Sequence, residues 1–117
     1  MKKKQDIQFT RGDHHNAEYT IVDQNGTAQS LTGATSVKWE AFSGSTAVIQ
    51  KSLADGVVLF DVDDTDDGVR VSLDPDDTED LAIGAYKCEL ECVLATKRVT
   101  LAQGHLILDE ELIANPT

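Results

Sequence analysis

Several kinds of residue are scarce in this sequence, and each scarcity excludes a class of protein. With only two cysteines in 117 residues, disulfides cannot form the framework of a small secreted domain. No apolar run approaches the roughly 20 residues that span a bilayer. The basic start at residues 1–4 is followed by polar residues instead of the apolar core of a signal peptide. We therefore expect a chain that folds in the cytoplasm and has no membrane partner.

Basic residues are also few. Ten lysines and arginines stand against 21 aspartates and glutamates, which gives a formal net charge of −11. A negative field of this size repels the phosphates of nucleic acid and favours solubility or a basic protein partner. The length suits one domain whose core needs neither a metal nor a disulfide. We therefore expect a single domain with no nucleic-acid partner.

The sequence is rich in short segments with period-two alternation, separated by turn residues. The clearest alternating segments are 17–22, 36–41, 69–73 and 86–94. Turns at intervals of about 8–12 residues are typical of a β-sandwich, so we predict an all-β, Ig-like antiparallel sandwich of about seven to nine strands. Trp39 is its expected anchor. The predicted core consists of the inward-facing residues Tyr19, Ile21, Val37, Trp39, Val71, Leu73, Tyr86, Leu90 and Leu94.

One short helix interrupts the predicted strands. Asp74 can cap it, Pro75 suits its first position, and acidic residues fill its first turn. Gly84 then frees the backbone to reverse into the next strand. The sequence predicts a single helical turn near residues 75–80.

The last two predicted strands contain two cysteines and a glycine with expected roles. Cys88 and Cys92 lie four residues apart, so they share one face of a strand at a separation of about 13 Å. A disulfide needs Cα atoms within about 7 Å, and the spacing is not the CxxC of a zinc site. We predict that both thiols are free and buried. Gly104 is predicted to mark a β-bulge.

Two terminal segments lack the pattern of a strand. We predict a basic N-terminal arm at 1–5, the sandwich at 6–108 and a C-terminal arm at 109–117. Both arms are expected to become ordered only against a partner. Their partner-binding residues are the basic and apolar side chains Lys2, Lys3, Lys4, Leu112 and Ile113.

An acidic segment at 61–68 has two interpretations. Counted from Asp63, the ligand positions 1, 3, 5 and 12 of a calcium loop hold Asp63, Thr65, Asp67 and Asp74, with Gly68 at position 6. The flanking residues have the pattern of strands, which favours the second interpretation, a solvated acidic turn on which a basic partner can dock. A calcium site stays the alternative.

Three further motifs suggest chemistry but lack the context for it. Residues 11–13 spell the adhesion tripeptide Arg-Gly-Asp, yet such short matches are frequent by chance and the last two residues suit a turn. His14 and His15 point to opposite faces of a strand, so they cannot easily chelate one ion. His105 has no serine or carboxylate at the spacing of a catalytic triad. We therefore predict that the protein is not an enzyme and has no cofactor.

The turn and core residues occur in an order that resembles Ig-like β-sandwich domains of tailed-phage structural proteins, and is similar to the N-terminal domain of the phage upper-baseplate family. The resemblance covers residues 5–108. It also extends to ordinary Ig domains, since Tyr86 and Cys88 resemble the Y-x-C of their sixth strand and Trp39 their core tryptophan, although the partner cysteine is missing. The residues that carry the resemblance are 12–13, 23–26, 31–34, 73–78, 81–86 and 104–108.

The resemblance implies a structural component of a bacteriophage virion, in the baseplate, tail, neck or capsid surface. Its implied partners are other virion structural proteins, and further copies of itself within the particle; its implied location is the virion, after synthesis in the host cytoplasm. The alternative is an Ig-like adhesin or carbohydrate-binding module. That function needs exposed aromatic residues, for which Phe42 and Phe60 are the candidates.

Overall fold

A computed structural model describes residues 3–110 of the chain. Within them the predicted all-β fold is confirmed, with nine strands and one helical turn. The elements in chain order are β1 Lys3–Lys4, β2 Ile7–Thr10, β3 His15–Thr20, β4 Ser36–Ser43, β5 Thr46–Leu53, β6 Gly56–Phe60, β7 Gly68–Leu73, α1 Pro75–Thr78, β8 Gly84–Leu94 and β9 Lys97–Asp109.

The strands form two layers that face each other. The larger layer has the order β9-β8-β4-β5, with β1 and β2 both beside β9, and the smaller has the order β6-β7-β3. Two residue pairs between β5 and β6 connect the layers at one edge. Because side chains of β4 and β3 are in contact although four places separate these strands in the order, the sheet folds over on itself.

This arrangement is that of an Ig-like sandwich. In that fold one layer holds the third, sixth and seventh strands, which correspond here to β4, β8 and β9. The other layer holds the second, fourth and fifth strands, which correspond here to β3, β6 and β7. The additional strand β5 extends the larger layer, as in the variable type of the fold. Neighbouring strands are antiparallel except where β1 and β2 pair with β9 and where β5 pairs with β6.

The core follows the alternation of the strands. In β4, Val37, Trp39 and Ala41 have no exposed surface, whereas Lys38 between them is exposed. Seven of the nine predicted core residues are buried, and Tyr86 and Leu94 are half-buried against the same core. Burial of about 25 cal/mol per Å² of apolar surface is the main stabilising contribution to such a core.

The predicted helical turn is present as α1. Its N-cap residue, Asp74, has an extended backbone, and its N–H donates to the Asp77 carboxylate at 2.7 Å. Pro75 occupies the first turn, where its missing N–H costs nothing. Thr78, at the end of the helix, is fully buried. The helix is thus held to the sandwich by its last residue.

The N-terminal strands differ from the prediction of an arm at residues 1–5. Lys3 and Lys4 pair with Ala102 and Gln103 of β9, and the Gln5 N–H donates to the Gln103 carbonyl at 2.9 Å. Backbone pairing needs no apolar side chain, which is why a run of lysines can join a sheet. Lys2 lies outside the described residues. At the other terminus, Asp109 is the last residue of β9, and Leu112 and Ile113 lie outside the described residues.

Gly104 has a different role from the predicted one. The irregularity in the β8–β9 register lies opposite Leu90 and Glu91, so Leu101 and not Gly104 is the extra residue. At Gly104 the segment that links β1 to β2, residues 5 and 6 and here called the crossing, passes over β9. It comes so close that an added Cβ would lie 1.9 Å from the Gln5 carbonyl oxygen. The backbone N–H of His105, the residue after Gly104, donates to the Asp6 carboxylate at 2.9 Å. This bond holds the crossing against β9. Glycine is required here by close approach.

The crossing at Gly104 gives a first prediction. Gly104→Ala should displace residues 5 and 6 and lower the free energy of unfolding by about 1–3 kcal/mol, since the new methyl group overlaps backbone. Urea unfolding followed by tryptophan fluorescence measures this effect. In a variant that lacks residues 2–6 the same substitution should cost less than about 0.5 kcal/mol. An equal cost in both backgrounds would show that the crossing does not constrain Gly104.

Candidate functional site

A hydrogen-bonded cluster joins the two layers at the centre of the core. Trp39 Nε1 of β4 donates to the Tyr19 hydroxyl of β3 at 2.9 Å, and both residues are buried. The Cys88 thiol of β8 lies next to the Tyr19 hydroxyl. Ordinary Ig domains join their layers by a disulfide beside a tryptophan. Here a tyrosine hydroxyl makes this inter-layer contact.

Both cysteines match their predicted state. Cys88 and Cys92 are free, and each is 2% exposed. Burial, with a smaller contribution from the Asp6 carboxylate, raises the pKa of the Cys88 thiol to about 11. Burial likewise raises the pKa of Cys92, with a further contribution from Glu91. Thiols in this state are protonated and hidden, so they are poor nucleophiles.

A second hydrogen-bonded group lies where α1 leads into β8. The Tyr86 hydroxyl donates to the Ala82 carbonyl at 2.5 Å, four residues upstream. A tyrosine two residues before the cysteine of the sixth strand that bonds back to the backbone is the tyrosine corner of Ig-like sandwiches. It explains why Tyr86 is only half-buried, because its hydroxyl turns outward to reach the carbonyl.

The Arg-Gly-Asp tripeptide belongs to this corner. The Gly12 N–H donates to the buried Thr78 hydroxyl at 2.9 Å, and Arg11 Nη1 donates to the Leu81 carbonyl at 3.2 Å. Arg11 Nε is buried without a protein partner. Since its arginine is fixed against the domain, the tripeptide has a structural role in tying the β2–β3 turn to the helix.

The acidic segment forms a loop, 61–67, that folds around one of its own carboxylates. The buried Asp67 accepts the N–H groups of Val62 at 2.7 Å and Asp63 at 3.1 Å. Burial alone would raise the pKa of this carboxyl, but backbone donors at residues 62–64 and 67 outweigh burial, and the pKa of Asp67 lies below its ordinary value. Asp67 thus organises the loop.

The same geometry separates the predicted calcium ligands. Asp63, Thr65 and Asp67 belong to the loop, whereas Asp74 follows the six residues of β7, which extend over about 20 Å. Both oxygens of Asp67 already accept backbone N–H groups. A calcium loop must curl around its ion, and a strand between positions 6 and 12 prevents this. The loop therefore fits the favoured interpretation, a solvated acidic turn.

The three histidines lie in separate environments. The His15 ring stacks on Phe9 at 4.7 Å, and burial, together with the neighbouring His14, lowers the pKa of His15. His14 Nε2 lies 3.9 Å from an Asp74 oxygen, and His105 Nδ1 lies 3.8 Å from Asp6. Within residues 3–110, no group of three or more His, Cys, Asp and Glu side chains is placed to hold a metal ion.

An open cleft of about 540 Å³ lies beside the Gly104 crossing. Charged groups of both signs line it, including Lys4 and Lys87 on one hand and Asp6 and Glu89 on the other. Gln103 Nε2 donates to Glu89 at 2.9 Å across its floor. Because its charged groups alternate in sign and are open to water, the cleft does not favour a ligand of either sign.

The turn between β8 and β9 lies where the alternating pattern predicts it, at residues 95–97, but its exposed basic charge and its strained backbone were not predicted. Ala95 and Thr96 both have positive φ, 52° and 66°, as in a type I′ hairpin turn. All of residues 95–99, here called the hairpin tip, are exposed, and they include Lys97, Arg98 and Val99. A signal was present in the sequence, since Lys97 and Arg98 are the one pair of adjacent basic residues after the N-terminal lysines.

These features define the chain as an Ig-like β-sandwich that closes its core without a disulfide. No family model matches the sequence, and no curated protein matches it. Among solved structures, the chain is similar to murine CRIg, with 16% sequence identity over 91% of this chain and 92% of that one and a TM-score of 0.40. The class therefore rests on strand order and on the tyrosine corner.

Removal of one hydroxyl tests the inter-layer cluster. Tyr19→Phe leaves the Trp39 N–H buried without an acceptor, so the free energy of unfolding should fall by about 1–3 kcal/mol. Denaturant unfolding of the variant gives this value. Ser45→Ala removes an exposed hydroxyl instead and should change stability by less than about 0.5 kcal/mol. A Tyr19→Phe protein as stable as the parent would show that this hydrogen bond does not stabilise the core.

The buried thiols predict sensitivity to alkali. The folded-state pKa of Cys88 is raised from 9.0 to about 11, so its contribution to stability is complete below pH 9 and falls as the pH rises towards 11. Melting temperatures measured from pH 8 to 11 should decline, and they should decline less steeply in Cys88→Ala. A thiol reagent should label neither cysteine in the native protein and both in denaturant. Rapid native labelling would contradict the burial of the thiols.

Proposed function

We propose that this protein is a non-catalytic structural component of a bacteriophage particle, placed in its baseplate, tail, neck or capsid surface, and that it acts by contacts with other virion proteins. The cluster of Trp39, Tyr19 and Cys88 supports this proposal most directly. A core joined by hydrogen bonds is independent of oxidising conditions, and phage particles are assembled in the reducing host cytoplasm. The proposed location is the virion.

The surface supports a role in protein contacts. The body is strongly acidic, and the loops at its two ends carry many of the carboxylates, in loop 61–67 and around α1. Such a field steers partners and sets their orientation more than it adds affinity. Among residues 3–110, no helix has the length and apolar character needed to cross a membrane.

The carbohydrate-binding alternative gains no comparable support. A sugar platform needs an exposed aromatic face, but one face of Phe60 lies under the Arg70 guanidinium at 4.9 Å and the ring also packs on Gly68. Phe42 is half-buried on β4. The large apolar side chains that are exposed in the described part of the chain are Val58, Val62, Ile83 and Val99, and none is aromatic.

Composition of purified particles tests the proposal. Phage should be induced or isolated from the strain that carries the gene, purified on a density gradient and digested for mass spectrometry. Peptides of this protein should follow the major structural proteins through the gradient at a constant ratio, which also gives its copy number. Recovery of the protein only in the soluble fraction of the lysate would refute a structural role in the virion.

A further inference from the structure

The hairpin tip combines positive charge, exposure and backbone strain. We propose that it docks on an acidic surface of a neighbouring particle protein. The identity of the neighbour as a virion protein rests on the proposed function, whereas the location and chemistry of the contact rest on the tip itself.

The first argument is electrostatic. Lys97 and Arg98 lie opposite Leu94 and Val93 of β8, so no carboxylate faces them across the hairpin. Three other cations of the described chain have carboxylates close by: Lys51 and Arg70 form ion pairs at 2.9 Å and 2.7 Å, and Lys38 lies opposite Glu91. A body of charge −11 repels an acidic partner almost everywhere. The tip is therefore a place where such a partner can approach, and two adjacent cations there set the orientation of the contact.

The second argument is the apolar surface beside the charges. Val99 is 40% exposed, and it lies on the same face of β9 as Lys97, two residues along the strand. Arginine is enriched at protein interfaces, and apolar surface next to a charged contact excludes water from it. The tip thus offers a partner both a charged contact and a small apolar contact that excludes water.

The third argument is strain. Ala95 and Thr96 hold positive φ angles that glycine or asparagine adopts more easily, and a β-branched residue such as threonine is especially unfavourable there. The β4–β5 hairpin of the same protein meets a similar demand with Gly44, whose φ is 64°. A turn that only had to reverse the chain would need no side chains at these positions. Strained residues of this kind persist at functional sites, and here their methyl groups add contact surface to the tip.

Acetylation of lysine amines locates the contact without knowledge of the partner. Lys38, Lys87 and Lys97 are all exposed in the free protein, so they form a matched set. Each should be labelled readily in the isolated protein. In intact purified particles, Lys97 should be labelled about tenfold more slowly than in the isolated protein, while the labelling rates of Lys38 and Lys87 should fall less. If the protein is present in the particles and Lys97 reacts as fast as when free, the docking proposal is wrong and the proposed function stands. If the protein is absent from particles, both fail.

A carbodiimide identifies the chemistry of the neighbour. This reagent activates a carboxylate, the lysine amine displaces it to form an amide, and the carbodiimide leaves as a urea that has taken up the oxygen. A cross-link from Lys97 to an aspartate or glutamate of another virion protein supports the proposal. A cross-link from Lys97 to loop 61–67 of a second copy instead would show self-association and overturn the assignment to a different protein.

Charge reversal tests whether the contact is needed for incorporation. The double variant Lys97→Glu/Arg98→Glu should be incorporated at about one tenth of the normal copy number or less when it is supplied to phage that lack the gene. The control is Lys38→Glu/Lys87→Glu, which makes the same change of charge on the larger layer and should be incorporated normally. Both should keep the melting temperature of the parent within a few degrees. Equal incorporation of the two variants would refute the proposal.

Discussion

Trp39 and Tyr19 belong to different layers of the sandwich, and the hydrogen bond between them is the contact on which the rest of the fold depends. It fixes the distance between β4 and β3, and with them the spacing of the two layers at the centre of the core. A buried indole N–H without an acceptor is costly, so the two layers cannot slide past each other without breaking this bond. The Cys88 thiol, packed beside the hydroxyl, completes the same contact.

Other side-chain bonds lie around this centre. Gln5 Nε2 donates to the Glu18 carbonyl at 2.8 Å, where the chain crosses from β1 to β2. Lys51 of β5 forms a largely buried ion pair with Asp77 of α1. The tyrosine corner holds the start of β8. Each of these bonds lies at the periphery, where the layers would otherwise be open to water, and each uses a side chain where no backbone pairing is present.

Much of this fold could be predicted from alternation, because side chains that face a common core must recur every second residue. This rule placed Val37, Trp39 and Leu90 correctly, and turn residues placed α1. Alternation could not predict that Gln5 lies against Gly104, because a spacing pattern contains no information on which distant segment contacts a given residue. The local spacing at Asp63 resembled a calcium loop, but whether a segment curls or extends depends on its pairing partners, and β7 is extended between β3 and β6.

The parallel pairing of the first strands with the last has a consequence for the order in which the protein can fold. Lys3 pairs with Ala102 and Thr10 with Asp109, so β1 and β2 have no strand beside them until β9 has been synthesised. At roughly 5–20 residues per second, this delay lasts several seconds on the ribosome. During this time Ile7, later buried, is open to chaperones or to other nascent chains. Closure of the larger layer is therefore a late, long-range step, and folds dominated by such steps are slow.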